Sequence, residues 1–141
     1  MIEITWAKVM ADVANLCEYW DEDDFTTVAG IANGGIVPAV LVANKLKIKN
    51  IITIQKDQTR DQVESMLQDY ESVLIMDDIN DTGDTIGPYL NMDHKNYRVA
   101  TIYQRYCTMY PDPPYGYAIP HNEWLKFPWE HYSYKGVLFD D

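Results

Sequence analysis

The sequence lacks several features that would mark a secreted, membrane or redox-active protein. It contains two cysteines, Cys17 and Cys107, which lie far apart and form no CxxC motif. We therefore interpret both as reduced core thiols. Residues 1–10 contain no basic segment followed by an apolar run, and no apolar stretch approaches the ~18 residues of a membrane span. These absences favour a cytoplasmic protein that has no membrane partner.

Positive charge is also scarce. The chain has 11 Lys and Arg residues against 22 Asp and Glu, which gives a formal net charge of -11. Such a surface repels the phosphate backbone of DNA and RNA, so we expect no nucleic-acid partner. A small anionic substrate is not excluded, because a site for it needs only local donors or a metal ion.

Common phosphate and metal motifs are missing as well. The chain has neither the GxxxxGK[ST] pattern of a Walker A loop nor the GxGxxG pattern of a dinucleotide site. His94, His121 and His131 show no HxxxH spacing, so we interpret them as surface or core residues. A phosphate site in this chain must therefore be of another type.

The sequence does contain enough apolar residues for one packed core. Its hydrophobic fraction is 47% over 141 residues, with 4 Trp, 11 Tyr and 3 Phe, which is typical of a globular domain. We expect a single domain over residues 1–141. Residues 106–141 begin with a stretch rich in proline and tyrosine that cannot form a long helix, so we interpret them as an appendage over the core.

Segments of strand composition alternate with segments of helical periodicity. The predicted strands are Thr26–Ala32, Ile51–Gln55, Val73–Met76 and Arg98–Tyr103. The predicted helices begin at Trp6 after the capping residue Thr5, near Pro38, and around Val63. The core-facing residues predicted for the first helix are Trp6, Val9, Met10, Val13, Leu16 and Cys17. This alternation favours an α/β fold with a mostly parallel central sheet flanked by helices.

One segment, residues 73–85, combines a buried strand with a polar loop. Ligands of open parallel sheets lie beyond the carboxyl ends of the strands, where Asp77 and Asp78 are expected. Gly83 lets the backbone curl so that successive N–H groups face one point, and Thr82 and Thr85 add hydroxyl donors. The pattern predicts a phosphate site. The two acids would accept hydrogen bonds from vicinal hydroxyls or hold Mg²⁺.

Two other interpretations apply to this segment. An EF-hand loop starting at Asp78 requires Glu at its twelfth position, which is Tyr89, so that match fails. A purely structural loop, with Asp and Thr as caps between a strand and a helix, remains open on the residues alone.

The segment resembles the phosphoribosyl pyrophosphate (PRPP) signature of type I phosphoribosyltransferases, which has four apolar residues, two acids and then Asp-Thr-Gly-x-Thr. Asp84 departs from the Gly of many members. The resemblance covers most of the chain and is strongest to the bacterial xanthine-guanine branch. The other matching pieces are Thr5-Trp6, Gly34 to Pro38, Thr101 to Tyr103, Ile119-Pro120, Trp124, and Pro128 to Glu130.

The resemblance implies the type I phosphoribosyltransferase fold and a reaction in which a purine base displaces pyrophosphate from PRPP with the help of Mg²⁺. It assigns the ribose 5′-phosphate to Asp81, Thr82, Gly83, Asp84 and Thr85. It assigns the ribose hydroxyls to Asp77 and Asp78, with Asp78 also supporting Mg²⁺. It makes Asp81 the general base, with a loop-stabilising cap as the alternative role.

The resemblance also implies how the leaving pyrophosphate is held. Asn33, Gly34 and Gly35 match the pyrophosphate loop, although Asn33 replaces a usual Arg or Lys and so removes a cation beside the leaving group. Lys56 to Asp69 corresponds to a mobile hood, in which Lys56 and Arg60 are candidate pyrophosphate contacts.

The base site follows from the same comparison. Arg105 matches the lysine that recognises the 6-oxo group, Trp124 matches the aromatic that stacks on the purine, and Leu125 offers backbone groups to the base edge. Glu130 matches an acid that binds a second Mg²⁺, and residues 106–141 become a base-binding appendage. A surface arginine and a core tryptophan are the alternative interpretations of Arg105 and Trp124.

These assignments predict an Mg²⁺-dependent purine salvage enzyme that acts on guanine, xanthine or hypoxanthine and forms a homo-oligomer, a dimer or a tetramer. The main alternative is a PRPP- or nucleotide-binding regulator without turnover, which Asn33 and Asp84 favour. A phosphoribosyltransferase for another base is the third, and Arg105 and Trp124 argue against it.

Overall fold

A five-stranded parallel sheet forms the centre of the protein. The computed structural model describes residues 1–90, 96–105, 113–120 and 123–130. In chain order, the elements are β1 (Ile2–Glu3), α1 (Trp6–Cys17), β2 (Thr27–Ile31), α2 (Ile36–Leu46), β3 (Asn50–Ile54), α3 (Arg60–Leu67), β4 (Val73–Asn80), α4 (Gly87–Leu90), β5 (Tyr97–Gln104), β6 (Tyr115–Ala118) and β7 (Leu125–Lys126). The sheet has the order β3-β2-β4-β5-β6, and every pair in it is parallel. The predicted α/β fold is confirmed.

The first helix begins where the sequence predicts, because the hydroxyl of Thr5 accepts a hydrogen bond from the Lys8 amide. The predicted apolar face is correct only in part, since Trp6 and Met10 are 49% and 50% exposed. At 100° per residue, the buried stripe is centred on Val9, Val13 and Leu16. The side chains of Trp6 and Met10 lie along one margin of it.

Two apolar clusters cover the two faces of the sheet. One joins the sheet to α1 and α2, and the other joins it to α3 and to Ile86 of the polar loop. The neighbouring strands β4 and β5 are buried along most of their length. The predicted site lies at the carboxyl end of this doubly covered pair.

Strand β4 is longer than predicted. The sequence suggested that it would end at Met76, yet it pairs with β5 as far as Asn80, which lies opposite Gln104. The added ladder bonds outweigh the low strand propensity of the acids. Asp77 and Asp78 consequently sit inside a strand and not in the loop beyond it.

A second, two-stranded sheet fastens the residues near 125 to the start of the chain. The carbonyls of Trp124 and Lys126 accept hydrogen bonds from Ile2 and Ile4, both at 2.8 Å. This pairing holds Trp124 at the carboxyl edge of the main sheet. None of the helices described is long and apolar enough to cross a membrane.

Candidate active site

Two adjacent carboxylates lie at the carboxyl end of β4. Asp77 is 6% exposed, and its Oδ1 accepts a hydrogen bond from the Asp78 amide at 2.9 Å. Burial first, and repulsion from Asp78 second, raise the pKa of Asp77 to about 8. Burial also raises the pKa of Asp78. A cation or hydroxyl donors beside the pair would stabilise its ionised form, because they would replace the water that burial removes.

The polar loop after β4 has the curled backbone that the sequence predicts. Gly83 has a φ of 91°, in the region that favours glycine, and its carbonyl accepts a bond from the Gly87 amide at 2.7 Å. The Asp84 amide donates to the Thr82 hydroxyl at 3.2 Å. The buried side chain of Ile86 anchors the end of the loop in the core. Thr82 and Thr85 remain exposed to a ligand.

A small cavity, which we call the phosphate cavity, opens at this loop and has a volume of about 170 Å³. It is lined by Gly34, Lys56, Asp77, Asp78, Ile79, Asn80, Asp81, Thr82, Gly83 and Thr85. Asp84 does not line it and instead faces a neighbouring cavity of about 410 Å³ that contains Lys56 and Arg60. The unusual acid of the loop therefore points away from the place where a phosphate would lie.

The predicted pyrophosphate loop follows β2 and meets the same cavity. The Ala32–Asn33 peptide bond is cis. A Cβ atom on Gly34 would lie 2.6 Å from Oδ2 of Asp78, so glycine allows the backbone to approach the acidic pair. Asn33 is exposed and carries no charge. Within the described chain, Lys56 is the cation that lines the phosphate cavity.

Lys56 reaches this position because β3 lies beside β2. The Ala32 amide donates to the Ile54 carbonyl at 2.8 Å, which holds the end of β3 next to the loop at residues 33–35. The predicted hood only partly resembles a free lid. Helix α3 begins with a capping box between Thr59 and Gln62 and buries Val63 and Leu67 in the core. The rim of the site is therefore residues 56–59, ahead of a packed helix.

A second cavity of about 170 Å³, which we call the base cavity, adjoins the first. It is lined by Asp78, Ile79, Asp81, Arg105, Trp124, Leu125, Phe127 and Glu130. The structure thus brings together the three predicted base-binding residues and both predicted metal residues. The side chain of Trp124 is 69% exposed, so it is not a core tryptophan.

The backbone N–H and C=O groups of Leu125 are directed away from β1. Strand β7 bonds to β1 through the carbonyls of Trp124 and Lys126. Because backbone groups alternate in direction along a strand, the N–H and C=O of Leu125 point to the opposite side.

Arg105 is neither a surface arginine nor a freely extended donor. Only 6% of it is exposed, and its Nε forms an ion pair with Oδ1 of Asp81 at 2.9 Å. One terminal nitrogen donates to the Pro120 carbonyl at 2.7 Å, and the other donates to the Glu123 carbonyl. The guanidinium therefore ties the predicted general base to the segment that carries Trp124. A lysine has no planar fork with which to make these three contacts together.

Sequence analysis missed two residues here, Asn80 and Gln104. Their side chains form a buried hydrogen bond of 3.1 Å at the ends of β4 and β5. The available signal was the position of each amide, directly after an apolar or aromatic residue and directly before a predicted site residue.

One further cavity lies away from this site, and several residues named in the sequence analysis fall outside the described residues. A cavity of about 540 Å³ lies at the opposite edge of the sheet, and none of the predicted site residues lines it. His94, Cys107, His121 and His131 fall outside the described residues. In the described chain, no group of three or more His, Cys, Asp or Glu side chains forms a metal cage.

Comparisons with known proteins found similar sequences and similar folds. No family model matches the sequence. The chain is 27% identical to the xanthine-guanine phosphoribosyltransferase of Chromohalobacter salexigens, over 90% of this chain and 82% of that protein. It is 29% identical to the protein of the same name from Desulfotalea psychrophila, over 90% and 84%.

The fold matches the crystal structure of a purine phosphoribosyltransferase from Pyrococcus horikoshii, with a TM-score of 0.67, 24% identity and coverage of 94% of this chain and 95% of that one. The chain therefore has the type I phosphoribosyltransferase fold, and the relatives it resembles in sequence are xanthine-guanine phosphoribosyltransferases.

Proposed function

We propose that the protein is a purine phosphoribosyltransferase of the salvage type. It transfers the ribose 5-phosphate of PRPP to guanine, xanthine or hypoxanthine and releases pyrophosphate. One observation carries this proposal. The phosphate cavity and the base cavity share Asp78, Ile79 and Asp81, so a ligand with a phosphate at one end and a purine at the other would span them with its ribose between.

The residues of the phosphate cavity would hold PRPP. The N–H groups and hydroxyls of Asp81 to Thr85 receive the 5′-phosphate, and Asp77 and Asp78 accept the ribose hydroxyls. The leaving pyrophosphate lies against Gly34 and Gly35, where Lys56 supplies positive charge. Holding the anomeric carbon between this cavity and the base cavity aligns the two reactants, which is a large part of catalysis in such a reaction.

The acidic pair also fits the Mg²⁺ ion that the family implies. Magnesium commonly takes one or two protein carboxylates and completes its shell with water and substrate phosphates, so no protein-only cage is required. The raised pKa values of Asp77 and Asp78 reflect carboxylates that a cation would stabilise. Asp78 is the proposed ligand at PRPP, and Glu130, across the base cavity, is proposed for a second ion. When bound, the metal would neutralise the pyrophosphate and so stabilise it as a leaving group.

The base cavity would hold and deprotonate the purine. Trp124 stacks on the ring, and the backbone of Leu125 meets its edge. Asp81 accepts the purine proton as the base attacks, and its ion pair with Arg105 keeps the carboxylate oriented towards both cavities. The cationic guanidinium beside this cavity favours a 6-oxo acceptor over the amino group of adenine.

The alternative, a regulator that binds PRPP or a nucleotide without turnover, is not favoured. A protein that only senses PRPP has no need of a base cavity that contains Asp81, Arg105 and Trp124 together. The homo-oligomeric state remains a prediction.

Turnover with separate bases tests the proposal. The purified protein is incubated with Mg²⁺ and PRPP, and with guanine, xanthine, hypoxanthine or adenine, while nucleotide formation is followed by absorbance. We expect turnover with at least one 6-oxopurine and little with adenine. EDTA should abolish it.

Two isosteric variants sharpen the result. Asp81→Asn should lower kcat by about 10²-fold or more, the usual contribution of a general base. Asp23→Asn, an exposed acid at the opposite edge of the sheet, should leave kcat unchanged. A folded protein that turns over none of the four bases would refute the enzyme and leave the regulator.

A further inference from the structure

Two buried carboxamides lie directly beneath the site. Asn80 and Gln104 are the last residues of β4 and β5 and face each other in register. They are 2% and 4% exposed. Nδ2 of Asn80 donates to Oε1 of Gln104 at 3.1 Å.

Each carboxamide immediately precedes a site residue, and the four residues form a closed set of contacts. The Arg105 amide donates to the Asn80 carbonyl at 2.9 Å, and the Gln104 side chain donates to the Arg105 carbonyl. The Arg105 guanidinium completes the set through its ion pair with Asp81. These hydrogen bonds therefore hold the main chain next to Asp81 and the main chain at Arg105 in a fixed relative position.

An apolar pair would join these strands equally well. The preceding facing pair, Ile79 and Tyr103, uses apolar and aromatic side chains, and so does Met76 with Ala100. Burying an amide is unfavourable unless all its polar atoms are bonded. Oδ1 of Asn80 is buried and has no partner within the described chain, while Asn80 also lines the phosphate cavity. The fold alone does not account for a polar pair at this point.

We propose that the Asn80–Gln104 pair positions the Asp81–Arg105 ion pair for the reaction. The two amides are positioning residues, which act through Asp81 and Arg105. This inference rests on the proposed function, because it concerns the group that removes the purine proton.

The test replaces both amides by apolar side chains of similar shape. Asn80→Leu and Gln104→Met are made singly and together. Each single variant should lower the temperature of thermal unfolding by several degrees, because it leaves one amide without its partner. The double variant should recover part of that loss, because neither amide remains, although the Arg105 carbonyl still lacks the Gln104 donor. Its kcat should nevertheless stay about tenfold or more below wild type, since small misplacements of a catalytic group are costly.

A second readout does not depend on activity. The chain contains three arginines, Arg60, Arg98 and Arg105, so the Arg105 Nε–H signal can be assigned in a ¹H–¹⁵N spectrum by its loss in Arg105→Lys. In the wild type, the ion pair should protect this proton from exchange with water. In the double variant, we expect faster exchange.

Asn96→Leu is the matched control. Asn96 is a partly buried amide that also holds the structure together, because it donates to the carbonyls of Leu67 and Tyr70 at 3.0 and 2.9 Å, but it lies at the opposite edge of the sheet. This variant should lose stability while keeping kcat and the Arg105 signal. If the double variant does not fold, Asn80→Ser is measured in the same way.

The outcomes separate the two proposals. A double variant with wild-type kcat and an unchanged Arg105 signal would show that the amides only join the strands. An inactive wild type in which the variants still accelerate Arg105 exchange would refute the proposed reaction but not the positioning. Both proposals would be supported if the double variant showed a lower kcat and faster Arg105 exchange while Asn96→Leu showed neither change.

Discussion

Asp77→Asn should stabilise the metal-free protein at pH 8, although it removes a proposed functional group. Burial and the neighbouring Asp78 raise the pKa of Asp77 to about 8, so ionising this side chain in the folded state is costly. Asparagine has nearly the same shape and can still accept the hydrogen bond that the Asp78 amide donates at 2.9 Å. The substitution therefore removes the cost of the charge while leaving the local structure in place.

The sign of the pH dependence follows from the direction of the shift. An aspartate in the unfolded chain titrates near pH ~4. As the pH rises from there towards 8, the unfolded state releases a proton that the folded state retains, so the contribution of Asp77 to the free energy of unfolding falls. Below this window both states are protonated, and above it the difference is constant. The advantage of asparagine should thus be absent near pH 4 and largest at pH 8 and above.

The magnitude has an upper bound. A shift of one pKa unit corresponds to about 1.4 kcal/mol, so a shift of about four units sets a limit of about 6 kcal/mol. Water entry and the shared charge with Asp78 reduce this value, and we expect about 2 kcal/mol at pH 8. In a chain of this size, that corresponds to a rise of about 5–10 °C in the unfolding temperature.

The assay is thermal unfolding in EDTA at pH 4, 6 and 8. Asp23→Asn serves as the control for removal of an exposed carboxylate, and its difference from wild type should change little with pH. Added Mg²⁺ should raise the unfolding temperature of the wild type more than that of Asp77→Asn. If the Asp77→Asn variant is no more stable than the wild type at pH 8 in EDTA, the burial argument is refuted.

Three further predictions concern the pyrophosphate loop and the rim of the phosphate cavity. Gly35→Ala should lower the free energy of unfolding by about 2–4 kcal/mol in urea titrations, because its Cβ would meet the Met76 carbonyl and lie 2.8 Å from the Ile31 amide, which are backbone atoms. Gly34→Ala should cost less stability, since the nearest atoms to its Cβ belong to the Asp78 side chain, but it should weaken PRPP binding in calorimetry. Equal losses of stability in the two variants would contradict this difference between side-chain and backbone contacts. Lys56→Met should weaken the binding of magnesium pyrophosphate about tenfold, whereas Lys56→Arg should retain it. Lys49→Met is the control for loss of an exposed cation. Unchanged affinity in Lys56→Met would show that Lys56 is not part of the site.

The parts of the site that were predictable from the sequence are those set by nearby residues. The curled loop at 81–85 follows from Gly83 and its flanking hydroxyls, and the start of α1 follows from Thr5. The order of strands and acids was enough to place Asp77 and Asp78 at the carboxyl edge. In each case the deciding interactions lie within a few positions along the chain.

The parts that were not predicted depend on distant residues. The length of β4 is set by its pairing with β5, and the packing of the hood segment is set by the core that receives Val63 and Leu67. The contacts of Arg105 with Asp81 and the Pro120 carbonyl join positions 24 and 15 residues apart. No local pattern encodes such a contact, so the sequence indicated the charge of Arg105 but not its partners.

The charged residues that line the site determine what it needs in order to bind an anionic substrate. A chain with a net charge of -11 presents three carboxylates, Asp77, Asp78 and Asp81, to a substrate that is itself an anion. Lys56 is the cation lining the phosphate cavity in the described chain, and Arg105 is already engaged with Asp81. The loop amides can hold one phosphate, but they carry no net charge and cannot stabilise the ionised form of the acidic pair beside the pyrophosphate. Recognition of PRPP at this site should therefore require a divalent cation that is shared between the carboxylates and the substrate.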